Sequence, residues 1–165
     1  MMTKVAIVFL LTVSVFMMGS CAKKGETGQS GYISVTKFDP ARDAAKDIQA
    51  AIAEARNSGR RVLLDVGGEW CSWCHLLDRF FDDNADIKRF MHENYVVLKI
   101  NYSKENKNEE ILSKYPPIPG YPHFFVLDTD GAFLYSQDTG ALESGDHHDR
   151  EKVYEFLKTW APPKK

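Results

Sequence analysis
A chain of 165 residues, 44% hydrophobic and 27% charged, has the make-up of one globular domain with a real core. Its formal net charge of −2 excludes the large basic field that nucleic-acid binding calls for. Acidic and basic residues are interspersed, as on a solvated surface.

Residues 1–20 have the pattern of a targeting segment. Lys4 supplies a positive start, and Val5 to Met18 form an apolar run of 14 residues interrupted by Thr12 and Ser14. That is short for a membrane span, which needs about 20 residues, and suits the core of a signal peptide. The run ends in Met17-Met18-Gly19-Ser20-Cys21. This ending resembles a bacterial lipobox, which implies cleavage before Cys21 and lipid on that cysteine. Residues 21–31, polar and glycine-rich, then read as a flexible tether, and 32–165 as the folded domain. Export implies an oxidising compartment, where a lone cysteine pair can cycle or stay bonded.

Tyr32-Ile33-Ser34-Val35 is a short candidate strand. Asp39-Pro40 offers a helix cap and first turn, followed by Ala44, Ile48, Ala51, Ile52 and Ala55 on one face and a stop at Gly59. Residues 61–66, mostly apolar, read as a buried strand, and Gly67-Gly68 turn the chain into Trp70-Cys71-Ser72-Trp73-Cys74-His75. Leu76, Leu77, Phe80 and Phe81 line a helix, and Asn84 restarts one carrying Ile87, Phe90 and Met91. Residues 95–101 are the next strand, and 107–115 form a helix ending at Pro116. Residues 123–137 read as a hairpin turning at Asp130-Gly131, and Val153, Phe156, Leu157 and Trp160 as a last amphipathic helix. The expected order is β-α-β-α-β-α-β-β-α, an α/β fold with a mixed sheet covered by helices on both faces.

C-x-x-C-H fits a redox dithiol, a c-type haem attachment or half of a zinc site. Placed between a strand and a helix, Cys71 falls at the helix N-terminus, where N–H groups and the macrodipole favour a thiolate. Cys74, one turn on, can attack a mixed disulfide formed at Cys71. Cys71 is expected to be exposed and Cys74 more buried. Asp65 and Lys99 are charged residues in otherwise apolar strands. They either pair as a buried set in which Asp65 takes the proton of Cys74, or cap a strand end and snorkel to water. Pro122 directly precedes an apolar strand, and a cis Tyr121-Pro122 bond would supply the turn needed there.

Taken together, Asp65, Trp70, Cys71 and Cys74 in LLDVGGEWCSWCH, Lys99 in LKIN and Pro122 in GYPHFFVLDTDG resemble the thioredoxin family over about residues 60–137. The resemblance implies a thioredoxin fold and a Cys71/Cys74 redox disulfide. It also implies catalytic parts for Asp65, Lys99 and a cis Pro122. Ser72-Trp73 replaces the Gly-Pro of thioredoxin itself, and His75 the usual lysine or arginine. This leaves reductant, isomerase and oxidant open. The segment is more like thioredoxin-like proteins with WCxxCH sites, exported lipoproteins among them. Trp70, Trp73 and Tyr121 are candidate substrate contacts; the blander alternative has Trp70 packed on the strand and only Trp73 exposed.

A haem domain would need an axial ligand such as Met91, His92, His123, His147 or His148, and would leave Asp65, Lys99 and Pro122 unexplained. Asp146-His147-His148-Asp149 is a polar loop capping the next helix, or a metal site. The expected protein is a lipid-anchored, exported, monomeric thiol–disulfide oxidoreductase without a cofactor or metal. It would act on protein disulfides and take electrons from a membrane or periplasmic dithiol. The rival is a tethered binding module whose disulfide is static.

Overall fold
The computed structural model describes residues 32–163. The signal segment, Cys21 and the tether lie outside the described residues.

Two strands paired in parallel form the centre. β1 (Arg61–Gly67) lies beside β2 (Tyr95–Asn101), with Asp65 opposite Lys99 and Gly67 opposite Asn101. On its other side β1 pairs antiparallel with β3 (His123–Leu127), and β3 with β4 (Phe133–Asp138), so the order is β2-β1-β3-β4. The turn from β3 to β4 runs through Asp130 and Gly131, where a φ of 92° favours glycine.

Alternate residues of the central strands build two cores, because successive side chains point to opposite faces. Val62, Leu64, Val66, Leu98 and Phe125 pack with the apolar face of α1 (Ala44–Ser58). Leu63, Phe124 and Val126 pack with Leu77 and Phe81 of α2 (Ser72–Asp83), Ile87 and Met91 of α3 (Ala85–Asn94), and Val153 and Leu157 of α5 (Arg150–Thr159). The mixed sheet with helices on both faces is the expected one. One turn of helix, α4 (Glu109–Leu112), precedes β3. A 3-10 turn (Thr139–Leu142) leads into a small hairpin of β5 (Glu143–Ser144) and β6 (His147–His148). Among the described residues no helix is long and apolar enough to cross a membrane.

Three sequence expectations are corrected. Residues 32–35 form no strand: Lys99 N–H donates to the Val35 carbonyl at 3.1 Å, but the chain then leaves the sheet edge to bury Phe38. Asp39 caps a turn through Ala41 N–H at 2.8 Å, and the cap of α1 is Asp43, which accepts from Lys46 N–H. Helix in the 107–115 segment is limited to Glu109–Leu112, because Asn108 enters with a φ of 50° and Tyr115 leaves to stack on Phe125.

Candidate redox site
Cys71 is the N-cap of α2, and its sulfur accepts the Cys74 N–H at 3.1 Å. The two sulfurs are joined as a disulfide, with Cα atoms 5.2 Å apart. Once the bond is reduced, a thiolate at Cys71 keeps this N–H and the positive end of the helix, both of which favour the ionised sulfur. Cys74 lies within the helix and lacks that position.

The expected contrast in exposure is corrected. Cys71 is 4% exposed and Cys74 1%. Phe38, delivered by the segment before α1, packs with both cysteines, and Trp73 and Tyr121 border them. The asymmetry between the cysteines therefore comes from capping, not from surface area. Gly67, where β1 ends, is fitted to this packing: a Cβ there would lie 2.5 Å from the Cys74 sulfur and 3.0 Å from the Phe38 ring.

Beside the disulfide the Tyr121-Pro122 bond is cis, as expected. Buried Thr139 donates its hydroxyl hydrogen to the Pro122 carbonyl and ties this turn to the far end of β4. Tyr121 stacks on Tyr102 with ring centroids 4.8 Å apart and meets the Trp70 ring edge-on at 5.7 Å. Trp70 is 58% exposed, and its indole N–H donates to the Tyr102 carbonyl at 2.6 Å. Trp70 thus stands at the surface, while half-buried Trp73 packs edge-on against His148, 5.5 Å away. The alternative that placed Trp70 on the strand and exposed only Trp73 is reversed. His75 turns back to the Glu69 carbonyl, 2.9 Å from its Nε2.

Asp65 and Lys99, opposite each other in β1 and β2, meet below the site at 2.8 Å. The lysine side chain is 10% exposed and so stays inside. The same ammonium reaches Asp78 of α2 at 2.8 Å and lies 4.1 Å from the Phe38 ring centre. The second oxygen of Asp65 has no hydrogen-bond partner, and burial, opposed by Lys99, pushes its carboxyl up from the usual range. The charged pair Lys99 makes with Asp65 and Asp78 outweighs burial and holds the ammonium pKa above its ordinary value. A cavity of about 270 Å³ opens among Asp65, Asp78, Lys99, Thr36 and His92. The arrangement offers a carboxylate able to take a proton, two residues before the glycine that abuts Cys74.

The remaining histidines are dispersed. His123 follows Pro122, is bonded to Ser136 at 2.8 Å, and is held neutral by burial with a pKa near 4. Met91 is in the core, and His147 contacts Asp146. Among the described residues no group of three or more His, Cys, Asp or Glu is gathered as a metal site requires. Sequence reasoning missed Phe38, Asp78, Tyr102 and Thr139, and named His148 only as a haem or metal ligand, not as a neighbour of Trp73. Only Asp78 carried a signal, its place one helical turn after Cys74.

A family model described as thioredoxin-like matches residues 43–129. Among curated relatives, the thiol:disulfide interchange protein DsbD of Pseudomonas sp. (strain JR1 / K1) is 26% identical over 130 residues, which are 78% of this chain and 20% of that protein. Spermatogenesis-associated protein 20 of Homo sapiens is 32% identical over 53 residues, 32% of this chain and 7% of the relative. The chain therefore spans a fifth or less of the length of these relatives. Among solved structures, the disulphide isomerase from Xylella fastidiosa Temecula1 superposes with a TM-score of 0.65 at 22% identity, covering 78% of this chain and 98% of its own. The oxidised C-terminal domain of Neisseria meningitidis DsbD gives 0.54 at 17% identity, covering 72% and 96%. These superpositions show the fold. With more than half its length matched by the family model and a cysteine pair whose first member caps the helix after the first central strand, the chain belongs to the thioredoxin-like family.

Proposed function
We propose that the chain is a thiol–disulfide oxidoreductase acting on protein disulfides outside the cytoplasm. The observation that carries this reading is the Cys71 sulfur at the N-cap of α2, holding the Cys74 N–H, beside the Tyr121-Pro122 turn. The names of the DsbD relatives and of the Xylella structure, interchange protein and disulphide isomerase, support it.

The chemistry follows from the geometry. The reduced Cys71 thiolate attacks one sulfur of a substrate disulfide; the S–S electrons leave on the other sulfur, which takes a proton. Cys74 gives its proton to Asp65 and attacks the Cys71 sulfur, releasing the second substrate thiolate and leaving the Cys71–Cys74 disulfide. A donor dithiol, from a membrane or periplasmic protein, resets the pair by the reverse exchange. Trp70 and Tyr121 form an aromatic surface on which an extended substrate segment lies, and Trp73 borders its other side. The catalytic parts belong to Cys71, Cys74, Asp65, Lys99 and Pro122. No cofactor enters the scheme, and the active unit is a monomer.

The burial of both sulfurs favours a second reading, a binding module with a static disulfide. Equilibration in glutathione buffers separates the two. The pair should reduce reversibly with a potential between about −270 and −120 mV, the span of catalytic pairs, and a value below about −300 mV would mark a structural bond.

The extracytoplasmic setting rests on residues 1–31. The reading takes 1–20 as a lipoprotein signal, Cys21 as the lipidated residue and 21–31 as the tether of the 32–165 domain. Labelled palmitate should enter wild type and be lost from Cys21→Ala; equal labelling of both removes the anchor from the proposal.

A further inference from the structure
Phe38 is buried in a stretch that otherwise lies on the surface. Thr36 and Lys37 before it and residues 39–43 after it are exposed, whereas Phe38 is 3% exposed. Its segment is pinned on both sides. Lys99 N–H donates to the Val35 carbonyl at 3.1 Å, and the Asn106 side-chain amide donates to the Pro40 carbonyl at 2.9 Å. The ring so delivered packs with Cys71 and Cys74. A Cβ added at Gly67 would meet the tip of the ring at 3.0 Å and the Cys74 sulfur at 2.5 Å. The Lys99 ammonium stands 4.1 Å from the ring centre, fixed by Asp65 and Asp78 at 2.8 Å each. The same ring thus packs on both cysteines and carries the buried cation.

We infer that Phe38 is a positioning residue of the redox site: its ring insulates the Cys71 and Cys74 sulfurs from water and from the Lys99 ammonium, and so restrains their ionisation. The inference rests on the reading of Cys71 and Cys74 as a redox pair. Hydration and nearby positive charge favour a thiolate, and apolar surroundings disfavour it. The negative face of the ring holds the ammonium, while its carbon surface offers the sulfurs no hydrogen bond. At Cys71 the helix cap works against this restraint, through the Cys74 N–H at 3.1 Å. Cys74 lies inside the helix without that position and keeps its proton until Asp65 removes it.

The titratable groups around the pair are otherwise engaged. β1 presents Asp65, β2 Lys99 and α2 Asp78, joined to one another through the ammonium. His75 of α2 turns back to Glu69, 2.9 Å from the carbonyl and 3.8 Å from the carboxylate. Tyr121, which borders the cysteines, is kept as a phenol by burial and by Tyr102, which push its pKa up. Asp39, next to Phe38 in sequence, is spent on the Ala41 N–H at 2.8 Å. The Phe38 ring is therefore the part of this packing whose removal would let water and the ammonium nearer the sulfurs.

Alkylation of the reduced full-length chain with iodoacetamide from pH 5 to 10, read at Cys71 by peptide mass spectrometry, tests this. The plateau rate at high pH reports access to the sulfur, and the midpoint of the profile reports its ionisation. Phe38→Leu keeps an apolar side chain but loses the ring, and Phe38→Ala opens the space along the sulfurs. The midpoint should fall by about half a unit in the leucine variant and about one unit in the alanine variant. Relative to each plateau, the rate on the acidic limb should then rise about threefold and about tenfold. A ring that only fills space changes stability and the plateau and leaves the midpoint where it is. Should the alanine variant fail to fold, the leucine variant decides alone. A midpoint in Phe38→Leu that stays at the wild-type value, or rises, overturns the inference. A wild-type disulfide that dithiothreitol leaves intact instead overturns the redox reading beneath it.

Discussion

Cys74→Ser should accumulate covalent adducts with its protein partners, and Cys71→Ser should accumulate none. The sulfur of Cys71 sits at the helix cap, with an N–H already directed at it, and only there is an attacking thiolate stabilised. Attack joins enzyme and substrate. The bond is then broken from within by Cys74, whose Cα is 5.2 Å from that of Cys71. A serine at 74 leaves the adduct standing; a serine at 71 never forms it. Each substitution should lower turnover by about 10³-fold or more, as expected for groups that act as one unit. Mass spectrometry of the trapped species after non-reducing electrophoresis reads the asymmetry and identifies the substrates. Equal trapping by both variants would show that burial, nearly the same at the two positions, leaves no privileged attacker.

The parts of this site legible in the sequence are those with a local signature. The strand–turn–helix around Cys71 is announced by an apolar run, two glycines and a spacing of three between cysteines. Its consequence, Cys71 as N-cap, is what the structure shows. Asp65 and Lys99 drew attention because charge in a buried strand needs a partner, and parallel register sets them opposite each other. Phe38 was not legible, since nothing within its own segment says that it will pack on cysteines more than thirty residues away. The same segment misled: Tyr32 to Val35 is rich in strand-forming residues, yet its edge position beside β2 yields one backbone bond before Phe38 pulls the chain away. His148 was hidden for the opposite reason. Its acidic and histidine neighbours read as polar loop or metal site, whereas a two-residue strand turns it inward onto Trp73. Thr139 acts by donating to the Pro122 carbonyl, and Tyr102 by accepting the Trp70 indole N–H and stacking on Tyr121, and residue type alone gives no sign of such contacts.

Asp65→Asn should slow release of the mixed disulfide while leaving its formation nearly intact, and should at the same time stabilise the fold. The kinetic effect comes from position. Asp65 lies two residues before Gly67, whose Cα region abuts the Cys74 sulfur, and burial makes its carboxyl a better proton acceptor than an ordinary aspartate. Loss of that acceptor should slow the resolving step by about 10²-fold at neutral pH, within the range for one positioned acid–base group. Stopped-flow formation and decay of the adduct with a model disulfide separates the steps; equal slowing of both would assign Asp65 a structural part. The stability effect comes from linkage. A carboxyl whose folded pKa exceeds its unfolded value of about 3.9 binds its proton more tightly when folded. Its stabilising contribution is complete below the unfolded value and is lost as pH rises through the folded one. The asparagine has no such proton to lose, so its advantage over wild type should grow with pH across that window. At pH 7 it should reach about 1 kcal/mol or more, because the asparagine is neutral where the ionised carboxylate is opposed by burial. Lys99 does not cancel this gain, because Asp78, with its side chain 43% exposed, holds the ammonium at 2.8 Å when position 65 is neutral. Denaturant melts of both proteins at pH 4 and pH 8 read the difference, and a gap that closes as pH rises would place the charge of Asp65 among the forces that hold the fold together.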